Sequence, residues 1–487
     1  MGKNSDCEVS ELVDRETLVR DVTRRVMDVL NKLETNEAKV RGVSDGDCGS
    51  GGYESVDEAV ETAVAAQLAW QWEFLLEERI RIINAMRKDL LDEKTIEELS
   101  ALALEETGMG RLDDKIAKKR LAVEKTPGPE FFRANVVTGD HGLALEELSP
   151  FGVIAAITPS TNPVASVFNN TICMIAGGNG VVFAPHPSAV RSTLRTVDIV
   201  ARSLERLGAP RGLVVTLTKP GMENLGKLMR HPKIRMIVAT GGPGVVNAAL
   251  ASGKPAIGAG PGNPPVLVDE TADLRKAAID VIMGCSFDNN LTCTAEKELF
   301  VVNCVADELK KHMLESGLAF ELKNPEDIDK LLALVIKDGN PSRAMVGKSP
   351  QHILSKIGMK IPESVRVVLV ETPERHPFVQ EELLMPILPL VRVADFEEGL
   401  AASLRAEHGF RHSALIHSTN IHHMSVMARA METTMFTKNA PSYASIGYGG
   451  DSPTAFTIAT TTGQGPTTPL SFCRVRRCVL AGSFRIV

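Results

Sequence analysis

Apolar positions recur at intervals of three and four at the start of the chain. Leu18, Val22, Val26, Val29 and Leu33 form one stripe opposite Asp21, Arg25, Asp28 and Lys32, which predicts an amphipathic helix over 12–34. Residues 35–55 lose that period and turn polar and glycine-rich, including Asp45-Gly46-Asp47-Cys48-Gly49-Ser50-Gly51-Gly52. Such a stretch buries too little surface to offset its ordering entropy, so it reads as a flexible linker. The helical period resumes from Val56 to about Lys125, with Leu68, Phe74, Leu75, Ile80, Ile83, Met86, Leu90 and Leu91 on one broad face, and Pro127-Gly128-Pro129 ends it. Residues 134–148 predict two strands joined by a Gly139-Asp140-His141-Gly142 turn.

Beyond Gly152 short apolar runs alternate with helical periods. Strands are predicted at 152–157, 180–183, 212–217, 236–239 and 255–259, and helices at 164–175, 192–207, 223–230 and 243–251. This alternation predicts a parallel sheet built from right-handed crossovers. A second series of strands follows near 266–268, 299–302, 367–370, 387–393 and 413–417. The fold class is therefore α/β with two successive parallel-sheet domains, as a chain of 487 residues is too long for one core.

Composition narrows the function. A net charge of −7 with dispersed Lys and Arg excludes nucleic acid as the main partner, and 4% aromatic residues leave little for stacking platforms. No apolar run reaches the roughly 18 residues of a membrane span, and the Met-Gly-Lys-Asn-Ser-Asp start is neither signal peptide nor myristoylation motif. Eight cysteines without a CxxC pair fit reduced thiols in a cytoplasm. His412, His417, His422 and His423 lack the carboxylate or Cys partners of a closed site, so no metal is expected.

One cysteine stands apart. Cys293 lies in the polar run Phe287-Asp288-Asn289-Asn290-Leu291-Thr292-Cys293-Thr294-Ala295-Glu296-Lys297-Glu298, between a helix-like and a strand-like stretch, where a thiol can be presented at a cleft as a nucleophile. Three further segments leave strands through turn residues. Ile157-Thr158-Pro159-Ser160-Thr161-Asn162-Pro163 places Asn162 at the carboxyl end of the first sheet. Thr240-Gly241-Gly242-Pro243-Gly244-Val245 runs through small residues into a helix, which suits a phosphate at the helix N-terminus although it is neither GxGxxG nor a Walker loop. Ile257-Gly258-Ala259-Gly260-Pro261-Gly262-Asn263-Pro264-Pro265 contains no carboxylate.

The run around Cys293 resembles the active-site signature of aldehyde dehydrogenases, in the branch that makes acyl-coenzyme A, and the likeness extends from about Val56 to Leu480 and includes the tail Ala459-Thr460-Thr461-Thr462-Gly463-Gln464-Gly465. It implies an aldehyde dehydrogenase-like architecture: a targeting helix at 1–34, a linker at 35–55 and a Rossmann-type cofactor domain at 56–131 and 150–257. An α/β catalytic domain at 258–448 and a small β oligomerisation element at 132–149 and 449–487 complete it. The implied roles are Cys293 as nucleophile and Asn162 as oxyanion donor. NAD would be held by Thr158, Pro159, Pro185, His186, Thr240, Gly241, Gly242, Val245 and Glu382, with Glu381 as the alternative to Glu382. Val379-Gln380-Glu381-Glu382-Leu383-Leu384-Met385-Pro386 resembles the family's Glu-x-x-Gly-Pro segment, with Met385 in place of the glycine. Ala184-Pro185-His186-Pro187 departs from the family's Lys-Pro-Ser-Glu, so no ribose clamp chooses NAD over NADP.

Hydrolytic relatives carry a water-activating Glu where this chain has Gly258 or Ala259, so the resemblance implies coenzyme A as co-substrate. The closest resemblance is to propionaldehyde and acetaldehyde dehydrogenases of bacterial microcompartments. This implies short-chain aldehydes as substrates, a dimer or tetramer, and packaging through 12–34 against shell or lumen proteins. Two rivals stand beside this reading: a water-using aldehyde dehydrogenase, and a non-catalytic lumen scaffold.

Overall fold

A computed structural model describes residues 51–486; the helix expected at 12–34 and the linker up to residue 50 lie outside them. The linker was expected to run to Ser55, and here the structure corrects the sequence. Gly51 is buried, and Gly52–Tyr53 is an edge strand parallel to Val214–Leu217, pairing with Thr216 and Leu217. Thr216 and Thr218 donate their N–H groups to the Gly51 and Tyr53 carbonyls, so the glycines that suggested disorder are fixed by a neighbouring strand.

Four helices follow, Val56–Trp72, Leu76–Leu90, Glu93–Thr107 and Leu112–Glu124. Ser55 and Asp92 cap the first and third by accepting N–H bonds, and Gly108, in the left-handed region, ends the third. The predicted apolar face is interrupted because the chain breaks between Trp72 and Leu76. Ile83, Met86 and Leu90 are fully buried, whereas the break leaves Leu75 at 72% and Ile80 at 37% exposure.

The first sheet is parallel throughout, with strands in the order Gly52–Tyr53, Val214–Leu217, Gly180–Ala184, Val153–Ile157, Ile234–Thr240 and Ala256–Ala259. Successive strands step outward one way from Val153–Ile157 and then the other way. The crevice at the carboxyl ends of Val153–Ile157 and Ile234–Thr240 is thus a topological switch point, where open α/β sheets bind ligands. The helix Pro163–Ala176 is buried along its whole length and carries Phe168 and Ile172 into one core with Trp70, Met86 and Phe183. Ala256–Ala259 pairs with Ile234–Thr240, so the expected boundary at 257 falls inside a strand of this sheet.

The second sheet is also parallel, in the order Ala319–Glu321, Val367–Glu371, Ile387–Val393, Glu298–Val302, Pro265–Val268, Ser413–His417 and Met435–Lys438. Its five inner strands match the predicted series, and only the two edge strands are additional. A third, antiparallel sheet joins Asn135–Gly139, Gly142–Pro150 and Cys473–Ala481. The segment 449–472 belongs elsewhere than in the oligomerisation element to which it was assigned. The Thr454 N–H donates to the Lys125 carbonyl, the Phe456 N–H to Asn169 Oδ1 and the Thr457 hydroxyl to Asn170 Oδ1, so it packs on the first sheet's helices. No helix among the described residues is long and apolar enough to cross a membrane.

Candidate active site

Cys293 sits in a turn between the helix Leu274–Ser286 and the strand Glu298–Val302. Asp288, Asn289 and Asn290 all have positive φ, at 50°, 55° and 67°. Asn and Asp tolerate this region better than other side chains, yet three in succession persist only if held. Asn290 Nδ2 donates to the carbonyls of Cys285 and Glu296, and Asn289 Nδ2 to those of Gly110 and Gly347. Lys297, fully enclosed, donates to the Asn290 carbonyl, to Asn290 Oδ1 and to the Thr292 carbonyl. The peptide 292–293 is trans, so its C=O faces Lys297 and the Cys293 N–H points the opposite way.

The thiol of Cys293 is half-buried. Burial, then the charge of Glu382, push it up to about 12, with Lys297 and Lys118 pulling the other way. Burial also lifts the Glu382 carboxyl, to about 7, against the stabilising effects of Lys297 and the Gly262 N–H. Glu382 therefore acts directly on the field at Cys293. The Leu384 backbone beside it is left-handed, at φ 53°, an unusual conformation for Leu in the segment where Met385 stands for the expected glycine.

Seven of the nine expected cofactor residues share one cleft of about 380 Å³ at the switch point: Thr158, Pro185, His186, Thr240, Gly241, Gly242 and Val245. Leu217, Lys219, Met222 and Leu225 complete its wall, and Lys219 is paired with Glu54 at 2.7 Å. The apolar lining and the N-terminus of Pro243–Leu250 fit a dinucleotide, whose phosphates the exposed helix start can receive. Pro159 is half-buried and does not line this cleft; Glu382 lies apart from it, beside Lys297 and Cys293.

Asn162 is the N-cap residue of Pro163–Ala176, but its side chain makes no capping bond. Its Oδ1 accepts instead from the Lys118 ammonium, which also donates to Asp288. Sequence reading missed this lysine. Lys115, Lys118 and Lys119 recur at the helical interval of three and four, a pattern that reads as a solvated face, yet all three are buried. Asp288 balances two of them: burial would push its carboxyl up, but Lys118 and Lys115 outweigh that and hold it below the usual range. Gly110, at φ 90°, admits this carboxylate, since a Cβ there would lie 2.1 Å from Asp288 Oδ1.

Of Gly258 and Ala259, the two candidate places for the missing water-activating carboxylate, Gly258 is crowded. A Cβ on Gly258 would lie 2.7 Å from Val246, and one on Gly260 would lie 2.6 Å from the Thr461 hydroxyl. The Gly258 N–H donates to Thr462, so the threonine-rich tail closes this side of the strand. A Cβ on Gly262 would lie 2.7 Å from the His412 ring, whose Nε2 is buried without a hydrogen-bond partner among the described residues. His412 and His417 are both pushed down to about 4 by burial and are neutral imidazoles. The ligand atoms of Asp269, Glu270 and His423 lie within 4.8 Å of one another, but Asp269 already accepts from Thr271, Ser418 and His423.

The aldehyde dehydrogenase family model matches residues 34–345. The CoA-propanoylating propanal dehydrogenase of Citrobacter freundii is 43% identical over 97% of this chain and 98% of its own. A crystal structure of Rhodopseudomonas palustris propionaldehyde dehydrogenase, with bound CoA and an acylated cysteine, has 48% identity and a TM-score of 0.87, covering 89% of this chain and 98% of that one. The propionaldehyde dehydrogenase of the Clostridium phytofermentans fucose utilisation bacterial microcompartment has 44% identity and a TM-score of 0.87, over 90% of this chain and 100% of that one. With its half-buried cysteine, switch-point cleft and carboxylate-free strand end, this chain belongs to the aldehyde dehydrogenase family.

Proposed function

We propose that the chain oxidises a short-chain aldehyde, such as propionaldehyde or acetaldehyde, to its acyl-coenzyme A with NAD. The observation that carries this reading is the half-buried Cys293 thiol in a chain with no carboxylate at Gly258 or Ala259, the first of which is crowded by Val246, Thr461 and Thr462. Cys293 adds as thiolate to the aldehyde carbonyl, forming a C–S bond and an alkoxide. The alkoxide is held by the Asn162 amide and the Cys293 N–H. Thr158, Thr240 and Val245 with the Pro243–Leu250 N-terminus would hold the dinucleotide, whose nicotinamide would supply the hydride acceptor. Oxidation leaves a thioester on Cys293. The sulfur of coenzyme A then adds to that acyl carbon and Cys293 departs, a thiol exchange that runs in both directions.

Glu382 favours a second reading, as a carboxyl near 7 beside the thioester could activate water. Product analysis separates the two. With saturating coenzyme A, mass spectrometry should find acyl-coenzyme A as the main product, and turnover should depend on coenzyme A; mostly free acid would make Glu382 a hydrolytic base. Two further parts of the proposal concern assembly. Exposed Val136, Val137, Val475, Val479 and Leu480 on the antiparallel sheet support a homodimer or tetramer. The apolar stripe of 12–34 and the microcompartment relative support packaging of this enzyme inside such a compartment.

A further inference from the structure

We infer that Lys118 is a positioning residue that aims the Asn162 amide and ties it to the nucleophile turn. Its one ammonium bonds two loops from different sheets: Asn162, after the first sheet's strand Val153–Ile157, and Asp288, five residues before Cys293. An ammonium only donates, so the atom facing it must be the carbonyl oxygen of Asn162. The NH₂ group is thereby directed away from Lys118. Its single contact among the described residues is a marginal one at 3.4 Å to the Thr161 hydroxyl, which leaves an N–H free for an oxyanion.

Asn at an N-cap ordinarily spends its side-chain oxygen on the helix's own N–H groups, and substituting it there changes stability rather than chemistry. Here no capping bond forms, so the oxygen is withheld from the helix and given to Lys118. The charge also polarises the amide, which strengthens its N–H as a donor. Lys115 and the Arg111 N–H share Asp288, so the carboxylate keeps partners if Lys118 is replaced, whereas Asn162 Oδ1 has no other donor among the described residues. The effect of Lys118 on turnover thus passes through Asn162.

The inference rests on the proposed oxyanion role of Asn162, and a double-mutant cycle in the full chain separates the two. Single-turnover acylation of Cys293 is measured for Lys118→Met, Asn162→Ala and the pair, with thermal unfolding of each. Asn162→Ala should slow acylation by about 10²–10³ and Lys118→Met by roughly tenfold to a hundredfold. The pair should be no slower than Asn162→Ala within about twofold, with KM for NAD and coenzyme A unchanged in Lys118→Met. Multiplying losses would overturn the inference and leave Asn162 in place. Normal acylation by Asn162→Ala would instead remove the oxyanion reading itself. Should Lys118→Met not fold, the cycle is run with Lys118→Gln in the presence of Asp288, which keeps Lys115 and the Arg111 N–H as partners while the charge at Asn162 Oδ1 is removed; independence of the two sites there is equally decisive.

Discussion

At the residue scale, Cys293 and Glu382 oppose one another. The carboxylate raises the thiol pKa, and the charge of Lys297 lowers it. A thiol near 12 is almost wholly protonated at neutral pH, so the field must change before it attacks. The family resemblance assigns Glu382 to the nicotinamide ribose, and engaging its carboxylate there would relieve Cys293. Glu382→Gln removes the negative charge permanently. The Cys293 thiol should then titrate at lower pH and alkylate faster with iodoacetamide at pH 8, while KM for NAD rises. An unchanged alkylation profile would show that burial alone holds the thiol up.

At the element scale, the turn 287–293 has one backbone bond of its own, from the Leu291 N–H to the Asp288 carbonyl, and is otherwise held by side chains. Asn290→Ala would remove the bonds to Cys285 and Glu296 and one acceptor of the enclosed Lys297. An expected loss of about 2–4 kcal/mol follows from leaving buried partners unpaired, seen as a lower midpoint in urea unfolding. Glu296, between this turn and the strand Glu298–Val302, accepts from the Ser442 N–H and hydroxyl at 2.8 and 2.6 Å, and burial lifts its carboxyl to about 7. Between an unfolded pKa near 4.5 and the folded value, the folded state holds more protons, so this group's contribution to stability falls as pH rises through that window. Glu296→Gln should therefore gain stability relative to the parent from pH 4.5 to 7 and gain no more above it, read from thermal midpoints across pH. The sequence made part of this legible. Asn289, Asn290 and Cys293 announce a polar presented turn, and the strands of both sheets' interiors follow from unbroken apolar runs. Lys118 was illegible because charged residues at helical spacing look solvated, and only Asp288, 170 residues away, explains their burial. Gly52–Tyr53 was lost for the same reason: its partner, Val214–Leu217, is remote in sequence.

At the scale of the whole molecule, the edge of the first sheet bears on where the chain tolerates truncation. The described fold starts at Gly51, whose carbonyl is bonded by Thr216 and whose position a Cβ would crowd to 3.0 Å from Val197. The proposed catalytic and cofactor residues lie between Thr158 and Glu382, and the positioning residue Lys118 likewise follows Gly51, so none of them precedes it. The stripe Leu18, Val22, Val26, Val29 and Leu33 lies outside the described residues and has no evident use in the chemistry. A helix of roughly 20 residues is marginal alone in water and gains order from a groove or from other copies of itself. Deleting 1–34 should therefore leave kcat near that of the full chain and abolish co-sedimentation with microcompartment shells. Val22→Glu with Val26→Glu should do the same by charging the apolar face. Deleting 1–55 should differ, because it also removes the edge strand and the Ser55 cap of Val56–Trp72, and the thermal midpoint should fall. Retention of the shorter truncation with shells would transfer the targeting role to the folded body and leave the catalytic reading intact. Equal stability of the two truncations would mean that Gly52–Tyr53 is a dispensable edge.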